Sequence, residues 1–194
     1  AIGKGSDTSG LDLTNAIDWC VENSSNYNIS VISMSLGTDD LYNDYCDSED
    51  DFLTTWTRAI NNATYYNISV IAATGNDGNF THIASPACIQ NTTAVGAVDK
   101  TGNLTSYSNR NSITDLFAPG GTATNLINST ATGGGYTGLY GTSMAAPHVA
   151  GAFALIRQFY RLNESVILTP AEIEELLKKN GKSILEITLT SPQN

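Results

Sequence analysis

Two stretches of this chain repeat one pattern, an amphipathic helix followed by a short apolar strand. In LDLTNAIDWCVEN the apolar residues Leu13, Ile17, Cys20 and Val21 recur at helical spacing, and YNISVISMSL follows as a strand. In DFLTTWTRAINNATY the residues Leu53, Trp56, Ile60 and Ala63 share one face, and YNISVIAAT follows. The hexamer Tyr-Asn-Ile-Ser-Val-Ile occurs in both units, at residues 27–32 and 66–71, which marks similar units and not a solenoid. Mostly apolar strands are covered on both faces, and helix-then-strand order joins neighbouring parallel strands by right-handed crossovers. TTAVGAV supplies a third strand, and SITDLFAPGG runs into a turn. A last helix, PAEIEELLKKN, starts after Thr169, with Pro170 first, Glu172 closing a capping box and Gly181 placed to end it. The pattern predicts an α/β protein with a parallel sheet.

Composition narrows the partners. A length of 194 residues with 41% apolar content suits one domain with a sizeable core. The net charge of −10, from nine basic and nineteen acidic residues, argues against nucleic acid or an anionic membrane surface. No stretch approaches the roughly eighteen apolar residues that a membrane helix needs. The acidic run Thr38 to Asp51 reads either as a solvated loop or as a loop for a structural calcium ion, although it lacks EF-hand spacing. Of three cysteines, Cys20 lies on the apolar face of the first helix and is expected to be buried as a small hydrophobe. Cys46 and Cys88 fall in loops at the same end of the sheet, leaving two alternatives, a disulfide or two further thiols.

The chemistry concentrates in GTSMAAPHVAG, Gly141 to Gly151. Ser143 stands where a glycine-rich turn becomes an apolar helix, whose partial positive end faces the site. A serine hydroxyl is a poor nucleophile unless it is held, exposed and relieved of its proton. The small neighbours Gly141, Ala145 and Ala146 leave room for a substrate backbone, and Pro147 is expected near the first turn, where a missing N–H costs little. This segment resembles the nucleophile region of the subtilisin-like serine peptidases, the subtilases, matching their G-T-S-x-A-x-P-H pattern at every fixed position. A second segment, ISVIAATGNDG, ends in Asn76, where the resemblance implies a side-chain amide donating to the oxyanion of a tetrahedral intermediate.

The resemblance implies more than these two residues. It implies a three-layer αβα architecture with a mainly parallel sheet and the hydrolysis of peptide bonds through an acyl-enzyme, with no cofactor required. Ser35, Leu36 and Gly37 match the strand edge that pairs with extended substrate; Ser6, Asp7 and Thr8 align with the opposing edge, where the family usually carries glycines. Ala72, Ala73 and Thr74 would line one wall of the specificity pocket and Ala84 another, and Ser85–Pro86 falls where the family has a cis proline.

What the resemblance demands and the sequence does not supply is a general base. The family orders its triad Asp, His, Ser. His148 lies five residues after Ser143 on the same helix, turned about 140° away, and His82 lies in a loop where the family has no triad member. The chain therefore reads as the C-terminal portion of a peptidase domain, nucleophile and oxyanion donor present, with base and orienting acid on upstream segments. The alternative is a non-catalytic, subtilase-like module that holds peptides along its strand edge. Nine Asn-x-Ser/Thr sequons, at Asn23, Asn28, Asn62, Asn67, Asn79, Asn91, Asn103, Asn128 and Asn163, exceed the roughly four that composition alone would give. They favour an exported protein, and a secreted monomer acting on polypeptides is the expectation.

Overall fold

A computed structural model describes residues 10–184. Its centre is a four-stranded parallel sheet in the order β1 (Val31–Met34), β3 (Ser69–Ala73), β5 (Thr93–Val98), β6 (Leu116–Pro119). The inner strands β3 and β5 are buried at every position, as their mostly apolar sequences require. Two antiparallel pairs lie outside this sheet, β2 (Leu41–Tyr42) with β4 (Ile83–Ala84) and β7 (Ile127–Thr130) with β8 (Tyr136–Leu139). A sheet apolar on both faces needs helices on both, and the chain supplies them. Against one face pack α1 (Gly10–Glu22) and α3 (Asp51–Tyr65), through Leu13, Ile17, Val21, Leu53, Trp56 and Ile60; the one-turn α2 (Ser24–Tyr27) follows α1. Against the other pack α4 (Thr142–Asn163) and α5 (Pro170–Asn180), through Ala145, Ala146, Val149, Phe153 and Ile173. The fold is thus α/β, three layers deep.

Local chemistry sets the helix ends. Asp50 caps α3 by accepting the Leu53 N–H at 2.7 Å, so one member of the acidic run has a structural task. The capping box of α5 forms as expected, with Thr169 and Glu172 reciprocally bonded. Gly181 ends α5, but in an extended conformation (φ −70°) and not a left-handed one.

Several expectations are corrected here. Pro147 stands six residues into α4, beyond its first turn, and its position has a use described below. Cys20 is half-buried, because Leu13, Ile17 and Val21 make the buried stripe and Cys20 stands at its margin beside exposed Trp19. Its thiol is pushed above the ordinary range by partial burial. SITDLFAPGG, expected to run into a turn, does so after an edge strand, β6, and the β7–β8 hairpin has no counterpart among the expected elements. The acidic run is solvated in its side chains yet anchored in its backbone, by β2–β4 pairing and by a Cys46–Cys88 disulfide with both cysteines buried. Ser85–Pro86 is cis.

One polar cluster joins α5 to the amino ends of the strands. Lys178 Nζ lies 2.6 Å from Asp115 and 2.7 Å from Glu174, Asp115 accepts the Ala94 N–H, and the Thr93 hydroxyl donates to Glu174 at 2.6 Å. Burial, then the facing Glu174 charge, hold Asp115 above the usual carboxylate range despite its lysine. Burial works against the Lys178 charge, but hydrogen bonds to the two carboxylates outweigh it and raise its pKa.

Two outcomes are expected. Thiol titration of oxidised, denatured protein finds one thiol, Cys20, and reducing the disulfide, which spans 42 residues, costs about 4 kcal/mol by loop-closure entropy. Lys178→Met lowers stability at neutral pH by roughly 1–2 kcal/mol, discounted for the exposure of the lysine. The raised Lys178 pKa makes its contribution fully present below the ordinary lysine range and lost only as pH rises through its higher folded value. The raised Asp115 pKa means that the carboxylate is favourable when protonated and costly once ionised. The deficit of the variant, read from urea midpoints, therefore shrinks as pH falls and Asp115 loses its charge.

Candidate active site

The site is assembled at the carboxyl ends of the strands, where ligands of open α/β sheets collect. Gly141 opens α4 with φ 143°, a conformation that favours glycine, and a Cβ there would press on the Asn76 amide at 3.3–3.6 Å. Its N–H donates to the Gly120 carbonyl at 2.9 Å. Gly120 is equally constrained, since a Cβ would lie 2.6 Å from Ala97 Cβ and 2.7 Å from the Gly141 carbonyl. The turn after β6 and the turn before α4 are therefore locked backbone to backbone. Nearby, burial pushes the Tyr107 phenol above its ordinary range, keeping it a neutral donor to the Gly121 carbonyl at 2.8 Å.

Asn76 stands in the loop after β3 and meets the start of α4. Its Oδ1 accepts two hydrogen bonds from Thr142, from the backbone N–H at 2.8 Å and from the hydroxyl at 3.0 Å. A backbone N–H can only donate, so the amide oxygen faces Thr142 and the Nδ2 group is left as a donor on the other side. Ser143 is the next residue, half-buried, in the first helical turn, whose N–H groups have no acceptor within the helix. The structure thus bonds Asn76 to the residue that precedes Ser143, 66 positions further along the chain.

Sequence reasoning missed what holds the loop. Asn109 is fully buried, and its Oδ1 accepts from the backbone N–H groups of Asp77 (2.9 Å) and Asn79 (3.0 Å) while its Nδ2 donates to the Asp77 carboxylate (2.8 Å). Its own N–H bonds the Gly75 carbonyl at 3.0 Å, and its carbonyl takes the buried Thr74 hydroxyl at 2.7 Å. Every polar group of the side chain is used, which fixes residues 74–79 as a unit. The only sequence signal was a polar run, SYSNRN, that reads as a loop.

The third contribution comes from the end of β1. Pro147 has no N–H to give the Ser143 carbonyl, four residues back, as an unbroken helix would. The Ser35 hydroxyl donates to that carbonyl instead, at 2.7 Å. In return the Ser143 hydroxyl makes a long contact of 3.5 Å with the Ser35 carbonyl. Gly37 lies flush against the second wall, where a Cβ would come within 3.1 Å of Ala84 Cβ and 3.3 Å of the Ser85 carbonyl. Leu36 packs on the first core cluster. The side chains of Ala72, Ala73, Thr74 and Ala84 are all buried, so any boundary they offer a substrate is set by their small size and by their backbone. Ser6, Asp7 and Thr8 lie outside the described residues.

Neither histidine is hydrogen-bonded to Ser143. His148 donates from Nδ1 to the Met144 carbonyl at 2.7 Å, and His82 is hydrogen-bonded to the Thr81 hydroxyl at 2.8 Å. Among the described residues, no group of three or more His, Cys, Asp or Glu side chains is placed to hold a metal ion. No described helix is long and apolar enough to cross a membrane. The arrangement sets a serine hydroxyl at the start of α4, next to the residue that holds the Asn76 amide oxygen, with the Asn76 Nδ2 group left as a neutral donor.

Comparison with known proteins agrees with this geometry. A family description, the Subtilase family, matches residues 1–189. An extracellular protease of Xanthomonas campestris pv. campestris is 38% identical over 134 residues, covering 68% of this chain and 22% of its own length. Subtilisin Savinase of Lederbergia lenta is 44% identical over 104 residues, 54% of this chain and 37% of its own. Among solved structures, a cold adapted subtilisin-like serine proteinase superposes with a TM-score of 0.71 at 32% identity, covering 89% of this chain and 55% of that one. A lanthipeptide protease shares the fold, with a TM-score of 0.79 at 24% identity over 94% of this chain and 62% of its own. The chain spans well under half of these curated relatives and little more than half of these solved ones. With the family pattern matched along nearly its whole length, the chain belongs to the subtilase family.

Proposed function

We propose that this chain carries the nucleophile and oxyanion-binding part of a secreted serine endopeptidase. Ser143 attacks the scissile carbonyl. The Asn76 amide and the Ser143 N–H hold the oxygen as it becomes negative, and an acyl-enzyme forms on Ser143. The observation that carries this reading is the double hydrogen bond from Thr142 to Asn76 Oδ1, which leaves the amide N–H free one residue away from the serine. A donor fixed before charge develops needs no reorganisation during reaction, the condition under which such groups act most strongly. An extended polypeptide pairs with residues 35–37, and Ala72, Ala73, Thr74 and Ala84 bound the space for its side chain.

The proton of Ser143 needs a base, and neither histidine here is placed to take it. The base and its orienting acid come from segments outside these 194 residues, and the domain works as a monomer. The exposed apolar residues Leu155, Phe159 and Leu162 along the outer face of α4 support a larger domain that covers them. Extracellular action is supported by the buried disulfide and by the likeness to an extracellular protease. The chemistry needs no cofactor, and any calcium ion would be structural. A peptide-holding module without catalysis is the weaker reading, because such a module has no need of a serine and an oriented amide side by side.

The test assays the 194-residue chain, and the longer polypeptide containing upstream segments, on an unstructured protein. The longer form hydrolyses it and Ser143→Ala abolishes that activity. The 194-residue chain retains at most the acceleration of roughly 10³–10⁴ over water that triad-stripped enzymes keep, a figure that comes from subtilisin. Undiminished activity in Ser143→Ala would sink the mechanism.

A finer outcome separates the donor from its support. Asn76→Ala lowers kcat by about 10²–10³ with little change in KM, the range for one lost oxyanion donor, again measured on a subtilisin. Thr142→Val keeps the backbone bond to Asn76 but loses the hydroxyl, and its kcat falls by only about tenfold, one neutral hydrogen bond.

A further inference from the structure

We propose that Asn28 and Asn62 carry N-linked glycans, on the pole of the domain opposite Ser143. All nine sequons lie within the described residues, and the fold treats them differently. Asn67 is half-buried, with its Oδ1 enclosed and its carbonyl gripping Arg157 at 2.6 Å. Asn79 Oδ1 organises the loop beside the site, accepting from Thr81 and His82. The Nδ2 groups of Asn23, Asn91, Asn103 and Asn163 are each spent on a hydrogen bond. Asn28 and Asn62 are exposed, and no hydrogen bond engages either side-chain amide. Asn128 is exposed too, but it sits in the hairpin that feeds the Gly141 turn.

Two further observations single out this pair. The first is position. Asn28 precedes β1 and Asn62 lies in the last turn of α3 before β3, so both stand at the amino ends of parallel strands whose carboxyl ends carry the site. From Asn28 to Ser35 the chain runs seven residues in mostly extended form, on the order of 20 Å. Bulk attached here leaves the strand edge open. The second is what surrounds them. Tyr27, 66% exposed, stacks on Trp19 beside Asn28, with ring centroids 5.8 Å apart. Tyr65 and Tyr66, 84% and 57% exposed, pack edge to face at the helical spacings i+3 and i+4 from Asn62. Exposed aromatic pairs are costly surface without a partner, and the apolar C–H faces of a sugar ring are a partner that such rings suit.

The modification is a group transfer without redox change. The Asn Nδ2 attacks the anomeric carbon of an oligosaccharide carried on a polyprenyl phosphate or pyrophosphate. A C–N bond forms, the C–O bond to phosphate breaks, Nδ2 gives up one proton, and the lipid phosphate leaves. The folded chain has to accommodate the product, so the sites are those whose amide is both exposed and unengaged by the fold.

The test exports the full chain through a cell that carries an oligosaccharyltransferase and maps glycopeptides by mass spectrometry. Glycan-bearing peptides are expected at Asn28 and Asn62. Asn28→Gln and Asn62→Gln each remove one glycan mass from the intact protein, as do Ser30→Ala and Thr64→Ala, which keep the asparagine but break the sequon. Unmodified peptides at either position overturn the proposal, as does occupancy of Asn67 equal to that of Asn62. Neither readout depends on peptidase activity, so failure of the catalytic reading leaves this result standing, and the reverse.

Discussion

One side-chain oxygen, Asn76 Oδ1, holds the end of β3 to the start of α4, and the arrangement of the site depends on it. It accepts twice from Thr142, so the loop after β3 and the turn before α4 cannot shift independently. Each side of that joint is braced in turn. Asn109 spends its whole side chain on the loop, and the Gly120–Gly141 backbone contact fixes the turn. Neither glycine could carry a side chain without displacing a neighbour. The joint is polar and partly buried, which makes an incomplete version costly and a complete one specific.

Pro147 adds a second constraint by omission. It removes one bond from the α4 ladder, and the freed Ser143 carbonyl is satisfied by the Ser35 hydroxyl from the end of β1. The end of β1 and the start of α4 are then coupled by a bond that an uninterrupted helix would not permit. A residue that looks like a tolerated imperfection is the reason that β1 can reach the site.

The helices and inner strands could be read from the sequence because burial imposes their period. Leu53, Trp56, Ile60 and Ala63 face the sheet as their spacing required, and β3 and β5 are buried throughout and apolar after their first residues, Ser69 and Thr93. Ser143 and Asn76 could be read because their neighbours form a long, specific pattern. Other features carry no such mark. β6 ends in Pro119, which a sequence reading treats as a turn; it is tolerated because β6 is an edge strand in the described sheet. The β7–β8 hairpin is largely exposed and polar and has no buried face to betray it. Asn109 owes its importance to partners about thirty residues away, and nothing local announces that. Cys20 was misjudged because helical spacing tells which side a residue is on but not how far the neighbouring layer extends.

α4 runs from the pole that carries Ser143 to the opposite one, 22 residues or about 33 Å long, continuous in path although Pro147 leaves a gap in its bond ladder. Thr142 is moored at one end; near the other, the Arg157 guanidinium grips the Asn67 carbonyl and the Ser69 hydroxyl. It behaves as a beam with both ends fixed. Displacement at one mooring is carried along the helix to the other, so the placement of Ser143 depends partly on arginine contacts about 22 Å along the same helix.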